Sequence, residues 1–168
     1  RAVQDLQKLL TGEGQVRMEL AANQAAFSLN NCRLVTKVIA GNYPDFRKVI
    51  PGEAKYRIPL SREELYAVIK RVAILSSEKA NSVKFTFADS RLTLSAHSPQ
   101  VGEAKESMDI KYDGPGMSVA FNPEFVMDPL RNLSADVVFL DLINEKSPAV
   151  IRIEEPFLYV MMPVLTNS

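Results

Sequence analysis

A single cysteine, Cys32, and a single histidine, His97, leave little material for the commonest site chemistries. One thiol cannot close an internal disulfide, which fits a reducing compartment. One His and one Cys build neither a zinc site of the usual ligands nor a Cys–His dyad. His97 precedes Ser98-Pro99 and reads as an exposed turn histidine. No apolar run approaches the ~20 residues that span a membrane, and the opening RAVQDLQKLL has no signal-peptide pattern. Gly12-Glu13-Gly14 and Gly114-Pro115-Gly116 are turn signals without the Lys-Ser/Thr of a phosphate-cradling loop. Asp109, Asp113, Asp141 and Glu145 are scattered acids, read as solvated. No catalytic constellation, metal site or cofactor is expected.

Net charge is also missing: Lys+Arg and Asp+Glu both number 20. Proteins that hold nucleic acid by phosphate neutralisation gain affinity from each released counterion and usually carry a basic excess. That class is disfavoured, leaving room for a protein that holds DNA by enclosure with only a locally basic surface. A hydrophobic fraction of 46% with 24% charged residues supports a folded core in a chain of 168 residues.

What is present is a repeat. Helix signals begin near Arg1, Ser61 and Asn122, each followed by three strand-like segments. Ser61 and Glu64 make a capping box, Leu60 and Leu65 a hydrophobic staple, and Leu65, Val68, Ile69 and Val72 share a helix face. Asn122, Pro123 and Glu124 open the third helix, Phe121 and Val126 can staple it, and Pro129 predicts a kink or early end. The first helix runs Ala2 to Leu10, with Val3, Leu6, Leu9 and Leu10 apolar, and ends at Gly12. Alternation predicts strands carrying Val16, Met18 and Leu20; Phe27 and Leu29; and Leu34, Thr36 and Val38. Next come Val83, Phe85 and Phe87; Leu92, Leu94 and Ala96 after an Asp89-Ser90 turn; and Met108, Ile110 and Tyr112. Last are Val137 and Phe139, then Ile151 and Ile153, then Phe157, Tyr159 and Met161. Short strands at Tyr56 to Ile58 and Met117 to Ala120 precede the second and third helices. The expectation is α+β: strand-helix-three-strand units, with residues 53–168 one domain and 1–52 an incomplete one with a linker.

Four segments in order carry a family resemblance: GNYPDFRKVIP at Gly41 to Pro51, RVAILSSEK at Arg71 to Lys79, AFNPEFV at Ala120 to Val126 and YVMMPV at Tyr159 to Val164. The chain resembles, over nearly its whole length, the bacterial DNA polymerase III beta sliding clamp. The resemblance implies a DNA clamp fold, with antiparallel sheets outside and helices lining the inner face. It identifies residues 1–52 with the second half of the clamp's middle domain and 53–168 with its third, so the chain looks cut off at its front.

The implied function is non-enzymatic. Two protomers join head to tail in a ring that encircles duplex DNA, independent of sequence, as a processivity factor of replication. The ring tethers polymerase, clamp-loader and repair proteins through a peptide groove. Residues matching that groove are Pro44, Lys48, Val49, Asn122, Phe125, Val150, Val160, Met162, Pro163 and Val164. Arg1, Lys8 and Arg71 would face DNA, with Lys70 and Arg131 as weaker candidates, and Ile74 and Leu75 match the ring interface. Lys48 replaces a frequent Arg, keeping charge but losing bidentate geometry; Ala80 and Pro148 also depart from some members at the rim. A cytoplasmic, nucleoid-associated location is implied. The alternatives are a peptide-binding adaptor that never encloses DNA and, further off, an α+β enzyme, which would need an acidic cluster in a deep pocket.

Overall fold

The computed structural model describes residues 1–29, 31–43, 45–76 and 81–164. It divides into two compact units, Arg1–Pro44 and Asp45–Ser168. The stretch 45–52, read as linker in the sequence, groups with the second unit.

The first unit opens with α1 (Ala2–Leu9), followed by an antiparallel meander of β1 (Arg17–Leu20), β2 (Gln24–Leu29) and β3 (Cys32–Lys37) in that spatial order. Its buried apolar residues are Ala25, Ala26 and Leu29, while α1 buries none.

The second unit contains the motif twice. Its first copy is β4 (Tyr56–Ser61), α2 (Arg62–Val72), β5 (Val83–Ala88), β6 (Arg91–Ser98) and β7 (Gly102–Asp109). Its second is β8 (Met117–Phe121), α3 (Pro123–Asn132), β9 (Val137–Leu142), β10 (Ala149–Arg152) and β11 (Leu158–Met161). The opening strands are exchanged. β4 pairs with β9 of the other copy, and β8 pairs with β5, giving four-stranded sheets ordered β11-β10-β9-β4 and β7-β6-β5-β8. Neither copy can therefore complete its sheet alone, and one contiguous core joins both sheets and helices. Pro59 is accommodated because β4 is an edge strand, where one flank needs no backbone donor.

Local chemistry explains the helices. Ser61 accepts from the Glu64 N–H and Asn122 from the Glu124 N–H, each satisfying a free donor of the first turn. Leu65, Val68, Ile69 and Val72 are all buried. Of the kink or early end that the sequence predicts at Pro129, the early end does not occur: α3 continues to Asn132. Pro129 removes one backbone bond, but Val126, Met127, Pro129 and Leu130 are all buried. The Leu133 N–H returns to the Pro129 carbonyl, and the Arg62 guanidinium donates to the Leu130 carbonyl (3.1 Å) and the Ala135 carbonyl (2.7 Å) beyond it. A cation on the last carbonyls of a helix favours its C-terminal end.

Strands show two further corrections. Burial in β9 falls on Val138, Leu140 and Leu142, the opposite parity to Val137 and Phe139, which face outward with Val137 exposed. The segment VVFLDL is apolar in both parities, so alternation could not choose. β7 ends at Asp109, and Ile110 and Tyr112 are buried beyond it, with the Tyr112 hydroxyl donating to the Pro115 carbonyl at 2.7 Å. The Asp89–Ser90 turn has positive φ at both residues (51° and 54°), the twist that two-residue hairpins require.

Candidate functional site

The first sheet of the second unit presents one parity to the core and the other outward. Register fixes the outward rows: Arg57 opposite Asp141, Asp141 opposite Val150, Val150 opposite Val160. Val160 is half-buried and Met162, at the next outward position, is 58% exposed. Val150 is only 1% exposed, so it forms a floor and is no accessible wall.

After β11 the chain crosses to the other sheet, where the Val164 N–H donates to the Ala120 carbonyl (2.8 Å). That bond sets the tail Met162-Pro163-Val164 beside the β8–α3 junction, which holds Asn122 and Phe125. Asn122 is fixed by its capping role, while Phe125 on the first turn of α3 is 54% exposed. Two large apolar side chains, Met162 and Phe125, are thus left in water on segments joined by a backbone bond. The physical opportunity is an apolar docking surface with polar backbone at its edge.

Lys48 ends a 3-10 turn (Phe46–Lys48) capped by the Asp45 carboxylate, followed by Val49, and both are exposed. Pro44 and Ala80 lie outside the described residues. Pro148 is half-buried.

Among the cationic residues, Arg1 and Lys8 are exposed at the two ends of α1. Lys70 is exposed on α2. Arg71 is committed to Glu106 of β7, with Nε donating at 2.7 Å, and that hydrogen bond holds the Glu106 carboxyl below its ordinary range. Arg131 pairs with Glu124 (2.7 Å) and Asp128 (3.3 Å). Ile74, in the 3-10 turn that prolongs α2, is 78% exposed, and Leu75 is half-buried. Their turn contacts β7, an open edge strand of eight residues. His97 is exposed on β6.

Asp141, read from the sequence as a solvated acid, is instead buried and bonded to two arginines. Arg57 grips it with both Nε (2.8 Å) and Nη2 (2.9 Å), and Arg152 adds a third bond (2.9 Å). Burying a carboxylate is costly unless it is paired and hydrogen-bonded, and here both oxygens are satisfied. A signal existed: Asp141 is the sole charge in the apolar segment VVFLDL, and Arg57 and Arg152 occupy strands of the same sheet. Glu145 accepts from the Ser118 N–H (3.2 Å), and Asp109 pairs loosely with Arg91. Among the described residues no three His, Cys, Asp or Glu side chains gather as metal ligands do.

Residues 47–165 match the family model of the DNA polymerase III beta subunit, C-terminal domain. The beta sliding clamp of Chlamydia pneumoniae is 36% identical over 164 residues, covering 98% of this chain and 45% of that protein. A DnaN sliding clamp (DNA polymerase III subunit beta) from Bartonella birtlesii, solved bound to griselimycin, superposes with a TM-score of 0.88. It is 30% identical, over 98% of this chain and 45% of that one. The beta subunit from Thermotoga maritima gives a TM-score of 0.82 at 27% identity, over 99% and 46%. The chain therefore spans a little under half the length of the curated relatives it matches. Its fold is the α+β clamp fold of these structures, and by the match over most of its length the chain belongs to the bacterial DNA polymerase III beta subunit (sliding clamp) family.

Proposed function

We propose that this chain serves bacterial DNA replication as part of a non-enzymatic, ring-forming processivity factor. In this reading a head-to-tail homodimer of the whole protein encircles duplex DNA in the cytoplasm, at the nucleoid. It tethers polymerase, clamp-loader and repair proteins by their short peptides. Residues 1–52 stand for the second half of a middle domain with its linker, and 53–168 for the third. Family membership supports the role.

The observation that carries the docking reading is the bond from the Val164 N–H to Ala120, which brings exposed Met162 into the neighbourhood of exposed Phe125. A peptide's apolar side chains would cover Met162, Phe125 and Val160 above the Val150 floor, with Asn122, Pro163 and Val164 at the edge. Pro44, Lys48 and Val49 would border the same groove. Methionine suits such a surface because its unbranched thioether adapts to different partners. Ile74 and Leu75 would meet the neighbouring protomer, a role consistent with the exposure of Ile74 beside the open edge of β7.

Arg1, Lys8 and Arg71 would face the duplex, with Arg71 sharing its charge between phosphates and Glu106. The ion pairs of Arg71 and Arg131 give weight to a second reading, an adaptor that does not enclose DNA. Weak, salt-screened phosphate contacts suffice only if enclosure retains the duplex.

The test is an anisotropy titration of a fluorescent clamp-binding peptide into this chain and into a longer one that carries the preceding half of the middle domain. Tighter binding by the longer chain is expected, and Met162→Ala in it should weaken binding about tenfold or more, as for a buried anchor. Indifference to Met162→Ala, or no binding by the longer chain, overturns the docking reading. Retention on closed circular DNA but loss from linear DNA separates ring from adaptor.

A further inference from the structure

We infer a second docking surface on the outward face of the β11-β10-β9-β4 sheet, fitted to a basic linear peptide segment of a partner protein that carries a bulky apolar anchor. The inference stands apart from the proposed groove and uses none of its residues.

The surface follows from the parity of β9. Because Val138 and Leu140 turn inward, Val137 and Phe139 turn outward, and Phe139 lies directly opposite Pro59 of β4. Ile153, just past β10 and partly packed on the core, also lines the concavity, and Asn132 at the end of α3 with residues 133–136 after it forms one wall. Together they enclose an open concavity of about 720 Å³. Val137 is 46% exposed at its rim, so apolar surface stands in water there.

Charge decides what fits. Asp136, Glu154 and Glu155 line this concavity, and no lysine or arginine does. All three are exposed, and among the described residues none takes part in an ion pair. The contrast on the same sheet is informative: one row along, Asp141 is neutralised by Arg57 and Arg152. The outer acids have no ion-pair partner among the described residues: Arg152, directly opposite Phe139, is held by Asp141, and Arg62 donates to the Leu130 and Ala135 carbonyls. The acids thus surround an apolar floor with their charge uncompensated at contact distance. Such a field attracts a cationic partner and repels phosphate, so nucleic acid does not suit it. A metal ion does not suit it either, since the three carboxylates do not gather as ligands. An extended segment with lysine or arginine on each side of one large apolar residue satisfies floor and rim together.

The probe is a fluorescent peptide, Gly-Lys-Leu-Phe-Lys-Gly, titrated into the nitrogen-15-labelled full chain and followed by amide shifts and anisotropy. Saturable shifts confined to residues 132–139 and 153–155 are expected, with weaker binding as salt rises. The double variant Glu154→Lys/Glu155→Lys should lose about tenfold or more in affinity. Both residues are exposed, so the fold should persist, as unchanged circular dichroism would verify. Val137→Ser should weaken binding severalfold without altering charge, and a peptide with glutamate in place of lysine should not bind. Binding of a clamp-binding peptide to the longer chain should be unchanged by the double variant, so failure here and failure of the groove are distinguishable. No saturation by about 1 mM, the weak limit of specific recognition, overturns the inference. So do unchanged affinity in the charge-reversed variant, shifts located elsewhere, or self-association of the chain that blocks the peptide.

Discussion

The meanders β1–β3 and β5–β7 are written in the same alternating pattern, yet only the second has an apolar face covered throughout; in the first, Ala25 and Leu29 are buried but the β1 edge is not. Val83, Phe85 and Phe87 on β5 are at most 1% exposed, whereas Met18 and Leu20 on β1 are 55% and 70% exposed. The helices differ in parallel: α2 buries four residues and α1 none. Alternation states which side of a strand is apolar, but burial needs a covering layer. In the second unit, a second copy of the motif supplies it by exchanging strands with the first. The hydrophobic contribution scales with area removed from water, so stability should be concentrated in the second unit.

The largest effect that could break this comparison is a core truncation. Phe85→Ala should cost about 3–5 kcal/mol, while Leu20→Ala should stay within about 0.5 kcal/mol, as surface changes do. Urea unfolding followed by circular dichroism measures both, and equal losses would show that the first meander is covered in solution. Next in size, Asp141→Ala should cost about 1–3 kcal/mol, because two arginines lose a charged partner. It should not approach a full buried-pair penalty, since Arg57 can return to water. A neutral Asp141→Ala would mean that the cluster merely decorates the sheet.

The smallest effect is titration of the Arg71–Glu106 bridge, in which Arg71 is exposed and Glu106 half-buried. Its hydrogen bond depresses the Glu106 pKa. The stabilisation is therefore present above the ordinary carboxylate value of about 4.3 and lost as pH falls through the lower folded value. Melting temperatures of the wild type and Glu106→Gln should differ slightly at neutral pH and converge in acid. A gap that widens in acid would reverse the assignment.

Much of the architecture was legible because its signals are local. Ser61 and Asn122 act through their own side chains on donors two or three residues away, and the apolar stripe of α2 repeats within one helix. The four family segments are likewise contiguous. What escaped depended on distant partners. Pro129 looked like a helix breaker because its local cost is plain, whereas the offsetting burial and the Arg62 contacts with the Leu130 and Ala135 carbonyls arise only in the fold. Asp141 looked solvated because its arginines lie 84 and 11 residues away in sequence.

For the candidate site, the sequence named Met162 and Phe125 through resemblance and could not say that Val150 sits beneath the surface. The concavity around Phe139 was invisible while the parity of β9 was read the other way. By itself the sequence determined the helix starts, the turns, the α+β class and the family, since capping, periodicity and motif order act over short range. Only the tertiary structure decided which copy each opening strand joins, which side of β9 faces water, and where Asp141 finds its charge partners. Those outcomes minimise exposed apolar area and unpaired charge across the whole unit, a sum that no short window of residues contains.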